Sequence, residues 1–318
     1  MKKIALEEHF MAPGFENYEA DVEKMMDARA YKEFALRLPE FADLRLQAMN
    51  NAEIEMCVLS QTSPGLQTEK DTATAIRKSQ EANDFLAQQI QKHPSRFAGF
   101  AHLAMQDPTA AAKELKRCIE DLGFKGALVN GHTNGVYLDD QRYIPFWETL
   151  NNLDVPLYLH PADSFDKPHM YEDHPDLMGP TWGWTVETTT HALRLIVSGL
   201  FDRLPKLKVI LGHMGEALPF MLWRFDSRWQ IGKHSKKLEK PLSQYVKDNI
   251  IITTSGVCDN APLLCSIEAL GADNILFSTD YPFESTQIAA DFIDKAPLSE
   301  DVRKRICYQN AQRILKLG

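Results

Sequence analysis

The sequence predicts an α/β fold, a (β/α)8 TIM barrel, and three observations carry that expectation. Eight short, nearly uninterrupted apolar segments recur along the chain. Helical patterns fill the intervals between them. No G-x-G-x-x-G or phosphate-loop motif follows any segment, which counts against an open, nucleotide-binding sheet. Continuous hydrophobicity marks strands covered on both faces, as parallel strands are.

The first segment is 3–10, KIALEEHF, and a long connection (11–50) follows it, with a helix carrying Arg45. Segment 55–61 is next, then a helix over 71–92 with Ala75, Ile76, Ala82, Phe85, Leu86 and Ile90 at helical spacing. After segment 97–103, Asp107 and Pro108 open a helix over 109–122, whose apolar positions are Ala112, Leu115, Cys118 and Ile119. Segments 126–130 and 156–161 are the fourth and fifth. A second long connection, 162–187, holds His169, His174, Trp182 and Trp184, and a helix over 188–200 follows. Segment 208–215, a helix over 216–229 and segments 250–256 and 275–281 complete the series. Loops that follow strands lie at the carboxyl-terminal mouth of a barrel, where its active sites are built, so the long loops after strands 1 and 5 are expected to serve as lids. No internal repeat, low-complexity stretch or linker divides the chain, and one barrel domain over 1–318 is expected.

Composition narrows the class. The 318 residues are 44% hydrophobic and 25% charged, as in ordinary globular proteins. A net charge of −9, with no Lys/Arg block, argues against nucleic acid as a partner. Any anionic substrate therefore needs a local cation, a metal or a few placed arginines. The five cysteines include no C-x-x-C pair and read as reduced thiols. Neither a signal peptide nor an 18-residue apolar run is found, so a cytoplasmic protein without a membrane partner is expected.

The chemistry concentrates at strand ends. Glu7 and His9, two apart on a strand, share a face. His160, His213 and Asp280 end three later segments. Counting back by twos from these residues puts Ala5, Tyr158, Val209, Leu211, Leu276 and Ser278 inside the barrel. Ile4, Leu6, Glu8, Leu157, Leu159, Ile275, Phe277 and Thr279 then face the helices. Glu7, His9, His160 and Asp280 together offer carboxylate oxygens and imidazole nitrogens, a donor set for Zn²⁺ and also for Mn²⁺ or Fe²⁺. His213 is either a fifth ligand or an acid/base beside the ion, and Glu216, three residues on, can orient it. Phe10, Trp182, Tyr281 and Phe283 near strand ends either clamp a planar ring or pack, and His102 and Asn130 either line the pocket or pack. Glu8 is expected at the rim in a salt bridge, and His191 is expected to bond Glu187 one helical turn away.

Several strings give a resemblance. Ala5-Leu-Glu-Glu-His-Phe10, Gly126-Ala-Leu-Val-Asn-Gly131 and Tyr158-Leu-His-Pro161 resemble those of the amidohydrolase-superfamily non-oxidative decarboxylases of hydroxybenzoates. So do Leu211-Gly-His-Met-Gly-Glu216, Trp223-Arg-Phe-Asp226, Ile252-Thr-Thr-Ser-Gly256 and Phe277-Ser-Thr-Asp-Tyr-Pro-Phe283. The likeness covers essentially the whole chain. Hydrolases of the superfamily usually open with His-x-His, whereas Glu7-x-His9 stands here. The resemblance implies one divalent metal, Zn²⁺ or Mn²⁺, on Glu7, His9, His160 and Asp280, with His213 and Glu216 beside Asp280. It implies a small aromatic acid as substrate, 2,6-dihydroxybenzoate first and 2,3-dihydroxybenzoate next. It also implies a homodimer or homotetramer in which Arg224 reaches a neighbouring subunit's site. Asp280 is the expected proton donor to the ring carbon, with His213 and Glu216 assisting. A metal-dependent hydrolase of a lactone, ester or amide is the alternative, and a catalytically silent binding barrel stands third.

Overall fold

The computed structural model describes residues 1–19 and 26–317; residues 20–25 of the first long connection lie outside the described residues. The strands are β1 (Lys3–Phe10), β2 (Ile54–Gln61), β3 (Phe97–Gly99), β4 (Ala101–His102), β5 (Ala127–Asn130), β6 (Leu157–His160), β7 (Val209–Leu211), β8 (Ile250–Thr253) and β9 (Ile275–Leu276). All are parallel, in the orders β1-β2-β3 and β4-β5-β6-β7-β8-β9. Strands β3 and β4 are one barrel strand interrupted at Phe100. The Phe100 N–H donates to the Leu59 carbonyl and the Ala101 N–H to the Gly126 carbonyl, both at 2.9 Å. At the other seam the His9 N–H donates to the Tyr281 carbonyl at 2.7 Å and the Glu7 N–H to the Ser278 hydroxyl at 2.6 Å.

Two apolar layers follow from this arrangement. Inside the barrel sit Ile4, Leu6, Leu128, Tyr158, Ile210 and Leu276 among others, closed at the bottom by Ala311 and Leu315 of the last helix. Outside, Ala5, Leu157, Leu159, Val209, Ile275 and Phe277 pack against the helices. The expected alternation holds for Tyr158 and Leu276. It is inverted on β1 and β7, where Ile4, Leu6 and Ile210 face in while Ala5, Val209 and Leu211 face out. The physical reason on β1 is a bulge. Ala5 pairs with Cys57 and Glu8 with Leu59, so two intervening residues on β1 oppose one on β2. The extra residue flips the pleat and turns Glu7 inward immediately above Leu6. On β7 the strand ends at Leu211, and His213 (φ 47), Met214 (φ 57) and Gly215 (φ 76) re-aim the chain in a left-handed turn.

Several helices start at side-chain caps. Asp71 accepts from the Thr74 N–H at the head of Thr72–Lys92, and Asp107 accepts from Thr109 and Ala110 at the head of Pro108–Glu120. The helix expected over 188–200 begins earlier, at Gly183, and ends at Val197, because Gly199 takes φ 77 and breaks it. His191 does not bond Glu187. Its Nε2 accepts from the Leu138 N–H at 3.0 Å, and burial lowers its pKa to about 3. Among the described residues no helix is long and apolar enough to cross a membrane.

Candidate active site

The bulge on β1 places Glu7 and His9 over the barrel interior, both fully buried. Tyr158, the inward residue of β6, donates its phenol proton to Glu7 Oε2 and lies 3.0 Å from the Thr253 hydroxyl. With one oxygen tied down, Glu7 Oε1 points to His160 Nε2 (3.4 Å) and His213 Nε2 (3.9 Å). His160 Nδ1 lies 2.9 Å from the Pro161 carbonyl, which can only accept, so Nδ1 carries the proton and Nε2 presents its lone pair. Asp280 stands four residues beyond β9 with φ 71. Its Oδ1 is 3.2 Å from His9 Nε2 and its Oδ2 3.5 Å from His213 Nε2. His213 Nδ1 donates to Glu216 Oε1 at 2.9 Å, and Glu216 Oε2 accepts from the Thr185 hydroxyl at 2.7 Å. Three non-glycine residues of this chain of contacts, His213, Glu216 and Asp280, have positive φ, a strained backbone that a packed surrounding must hold.

The donor atoms form two overlapping triads that share Glu7, each able to hold a divalent ion. Those of Glu7, His9 and His160 lie within 4.8 Å of one another, as do those of Glu7, His213 and Asp280. Glu7 Oε1 and both His9 nitrogens are buried without a hydrogen-bond partner, a costly arrangement in a protein interior. A cation held between such carboxylate and imidazole donors removes that cost. The local electrostatics show the same need. Burial raises the Glu7 carboxyl above its ordinary value although His213 opposes it. Burial, then His9, pushes His160 well below the usual histidine range. Burial works against charge on Asp280 too, yet the His213 and His9 imidazoles beside it hold it well below the usual carboxylate range. Burial also disfavours charge on His213, but Glu7, Glu216 and Asp280 outweigh it and raise that imidazole well above its ordinary value.

The site opens into a cavity of about 970 Å³, walled by Phe34, Trp184, Phe220, Val257 and Phe283 with a few polar side chains between them. Phe283 stacks obliquely on His9, with ring centroids 5.6 Å apart, and edge-on against Phe34 at 5.1 Å. Four expectations need correction. Phe10 alternates outward from His9 and packs on Phe41 and Phe85 in the helix-facing layer, away from the cavity. Asn130 is buried beneath the turn Gly65–Thr68, its Nδ2 3.3 Å from Gln67 Oε1. Gly65 lies so close that a Cβ there would stand 2.5 Å from His102 and 3.1 Å from Asn130, so the turn covers both. Trp182 is half exposed and off the wall, because it takes the non-helical position before the helix Gly183–Val197. Trp184, one step inside that helix, takes the wall position and donates from its indole to Asp163 at 2.7 Å. Glu8 is no rim residue: it is buried, accepts from the Thr279 N–H (2.9 Å) and hydroxyl (2.7 Å), and burial pushes its carboxyl up to about 7. Arg224 lies exposed on the helix Leu218–Trp229, outside the wall of this chain's own cavity.

Sequence reasoning missed Thr62, Phe34 and Thr185. Thr62 carried the one available signal, since Ser60-Gln61-Thr62 turns polar after an apolar run, as the other site strands do. Phe34 and Thr185 lie in the long connections, where no periodicity marks which side chain folds inward.

Comparison with known proteins places this arrangement among related chains. The amidohydrolase family model matches residues 20–317. The gamma-resorcylate decarboxylase of Polaromonas sp. strain JS666 is 44% identical over 99% of both chains. A crystal structure of 2,6-dihydroxybenzoate decarboxylase complexed with 2,6-dihydroxybenzoate superposes with a TM-score of 0.94 at 43% identity over the full length of both chains. A dihydroxybenzoic acid decarboxylase from Polaromonas, with bound manganese and the inhibitor 2-nitroresorcinol, does so at 0.93 and 44%, covering 99% of this chain and 97% of that one.

Proposed function

The chain belongs to the amidohydrolase family, and within it we propose a metal-dependent carboxy-lyase that converts 2,6-dihydroxybenzoate to resorcinol and CO2 without an oxidant. The observation that carries this reading is the pair of triads that share Glu7, one with His9 and His160 and one with His213 and Asp280, with Glu216 on His213. The decarboxylases at 42–44% identity over the whole chain support it.

Direct loss of CO2 would leave an aryl carbanion in the ring plane, which the π-system cannot stabilise. Protonating the carboxyl-bearing carbon first avoids that species, and an ortho oxygen makes this carbon basic. Glu7, His9, His160 and Asp280 would hold a divalent ion, Mn²⁺ or Zn²⁺, which would supply positive charge for an anionic substrate and favour its ionised phenol. Asp280 accepts the phenol proton and delivers it to the ring carbon. His213, 3.5 Å from Asp280 and held by Glu216, steadies the aspartate through that transfer. The carbon–carbon bond then breaks, its electron pair returns to the ring, CO2 leaves, and the ring oxygen left as phenolate takes a proton from solvent to give resorcinol. The apolar wall around Phe34, Trp184 and Phe283 orients the ring and excludes water.

The test is ultraviolet-monitored turnover of 2,6-dihydroxybenzoate by protein stripped with a chelator and reloaded separately with Mn²⁺ and Zn²⁺. We expect no turnover in the stripped protein and equimolar resorcinol and CO2 after reloading. Ester or lactone hydrolysis with no CO2 would favour the hydrolase reading instead.

The same proposal extends to the assembly. The substrate is an anion, yet no Lys or Arg is among the described residues of the cavity wall. Phe220 and Trp223 are 81% and 78% exposed on the helix that carries Arg224. An apolar face of this kind suits a second copy of the chain, which would bring Arg224 to the neighbour's substrate. Sedimentation is expected to show a dimer or tetramer, and Trp223→Glu to give monomers with KM raised about tenfold or more. A monomeric, fully active wild-type enzyme sinks the proposal.

A further inference from the structure

Asp280 stands on a segment that the sheet does not hold. Regular pairing of β9 ends at Leu276, and the buried N–H groups of residues 277–279 find their acceptors elsewhere. Those of Phe277 and Ser278 donate to the Ile306 carbonyl at 3.0 Å and the Thr254 hydroxyl at 3.1 Å. The Thr279 N–H donates to Glu8 Oε1 at 2.9 Å, and the Thr279 hydroxyl donates to Glu8 Oε2 at 2.7 Å. Both side chains are buried, and neither Glu8 nor Thr279 is among the described residues of the cavity wall. Asp280 is therefore tied to β1 on both sides: Thr279 to Glu8, and the Tyr281 carbonyl to the His9 N–H at 2.7 Å. Arg45 reinforces the second tie. Its Nη2 donates to the His9 carbonyl at 2.6 Å, and its guanidinium lies 4.4 Å from the centre of the Tyr281 ring. At φ 71 the Asp280 backbone keeps its conformation only while such surroundings fix it.

We propose that Glu8 is a positioning residue: its two hydrogen bonds to Thr279 set where the Asp280 carboxylate stands against Glu7 and His9, an inference that rests on the metal group proposed above. Glu7 and His9 flank Glu8 in the chain, so the strand that offers two donors also carries the group that places a third. The residue type matters. A glutamate has one oxygen for the Thr279 N–H and one for its hydroxyl, whereas an apolar side chain at position 8 leaves both donors buried without an acceptor. Thr279→Val keeps the volume and the N–H bond and removes only the hydroxyl bond, which loosens the residue directly before Asp280.

The experiment measures Mn²⁺ dissociation constants of the wild type, Thr279→Val, Thr279→Ser and Glu8→Ala, each with Asp280 in place and with Asp280→Gly, from the electron paramagnetic resonance of free Mn²⁺. Glycine takes φ 71 without strain and removes the carboxylate. Thermal unfolding identifies the variants that keep the native fold. Thr279→Val and Glu8→Ala are expected to raise the constant about tenfold with Asp280 in place and less than about twofold beside Asp280→Gly, while Thr279→Ser stays within about twofold of the wild type. An equal effect in both backgrounds, no effect in either, or a Thr279→Ser as weak as Thr279→Val overturns the proposal. Where one of the two disrupting variants unfolds, the other decides; loss of fold in both assigns Glu8 to the core and overturns it too. A wild-type protein that binds Mn²⁺ and releases no CO2 from 2,6-dihydroxybenzoate overturns the decarboxylase reading, and the paired constants then judge Glu8 by themselves. A protein that binds no Mn²⁺, or binds it equally well as Asp280→Gly, overturns both.

Discussion

Asp280→Asn is expected to lower kcat for 2,6-dihydroxybenzoate by about 10³-fold or more while leaving the fold and the thermal unfolding temperature near those of the wild type. The amide keeps the shape of the carboxylate but cannot take up the phenol proton and deliver it to carbon. The substitution isolates that role because the surroundings do not depend on the charge alone. Asp280 sits on a backbone kink at φ 71 between two imidazoles, His9 at 3.2 Å and His213 at 3.5 Å. Asparagine fits the same space and adopts positive φ more readily than most residues. Losing one anionic ligand weakens the metal, so the assay is run at saturating Mn²⁺ with bound metal measured in the same sample. A fully metallated Asp280→Asn enzyme within tenfold of the wild-type rate removes Asp280 from the proton path.

Glu7→Gln separates stability from function in the opposite way. Glu7 is fully buried, its Oε2 held by Tyr158 and its Oε1 without a hydrogen-bond partner. Burial raises its carboxyl pKa, which marks the charge as unfavourable there in the absence of a cation. Glutamine removes that charge at nearly constant volume. The Mn²⁺ dissociation constant is expected to rise by more than about 100-fold, since supporting groups outside the ligand shell already cost ten- to 100-fold. In metal-free protein the same change is expected to be neutral or stabilising in urea unfolding, because a buried charge with one oxygen lacking a hydrogen bond is replaced by a neutral amide. Equal destabilisation with and without Mn²⁺ assigns Glu7 to the core instead of the metal.

Much of this was legible in the sequence because the barrel repeats one simple pattern. Strands buried on both faces read as apolar runs whatever lies around them. The polar residues at the ends of those runs stood out for the same reason: Glu7, His9, His160, His213 and Asp280 interrupt hydrophobic segments that have no other use for charge. Period-two counting was less secure. It served for Tyr158 and Leu276, where the strands are regular, and inverted Ala5 and Leu211, where a bulge and a left-handed turn intervene. An extra residue in a strand leaves no trace in apolar periodicity over so short a run.

The sequence by itself determined the kind of layer each segment builds and the set of metal-competent side chains, since both follow from residue type and local period. Only the tertiary structure decided which neighbour each side chain meets. That is why Trp184 and not Trp182 faces the cavity, why Phe10 packs among the helices, and why Glu8 is buried against Thr279. It also left Thr62 Oγ1 without a partner. A strand or helix fixes the direction of its own side chains but not the neighbours brought against them, and a loop residue points wherever packing across the whole mouth leaves room.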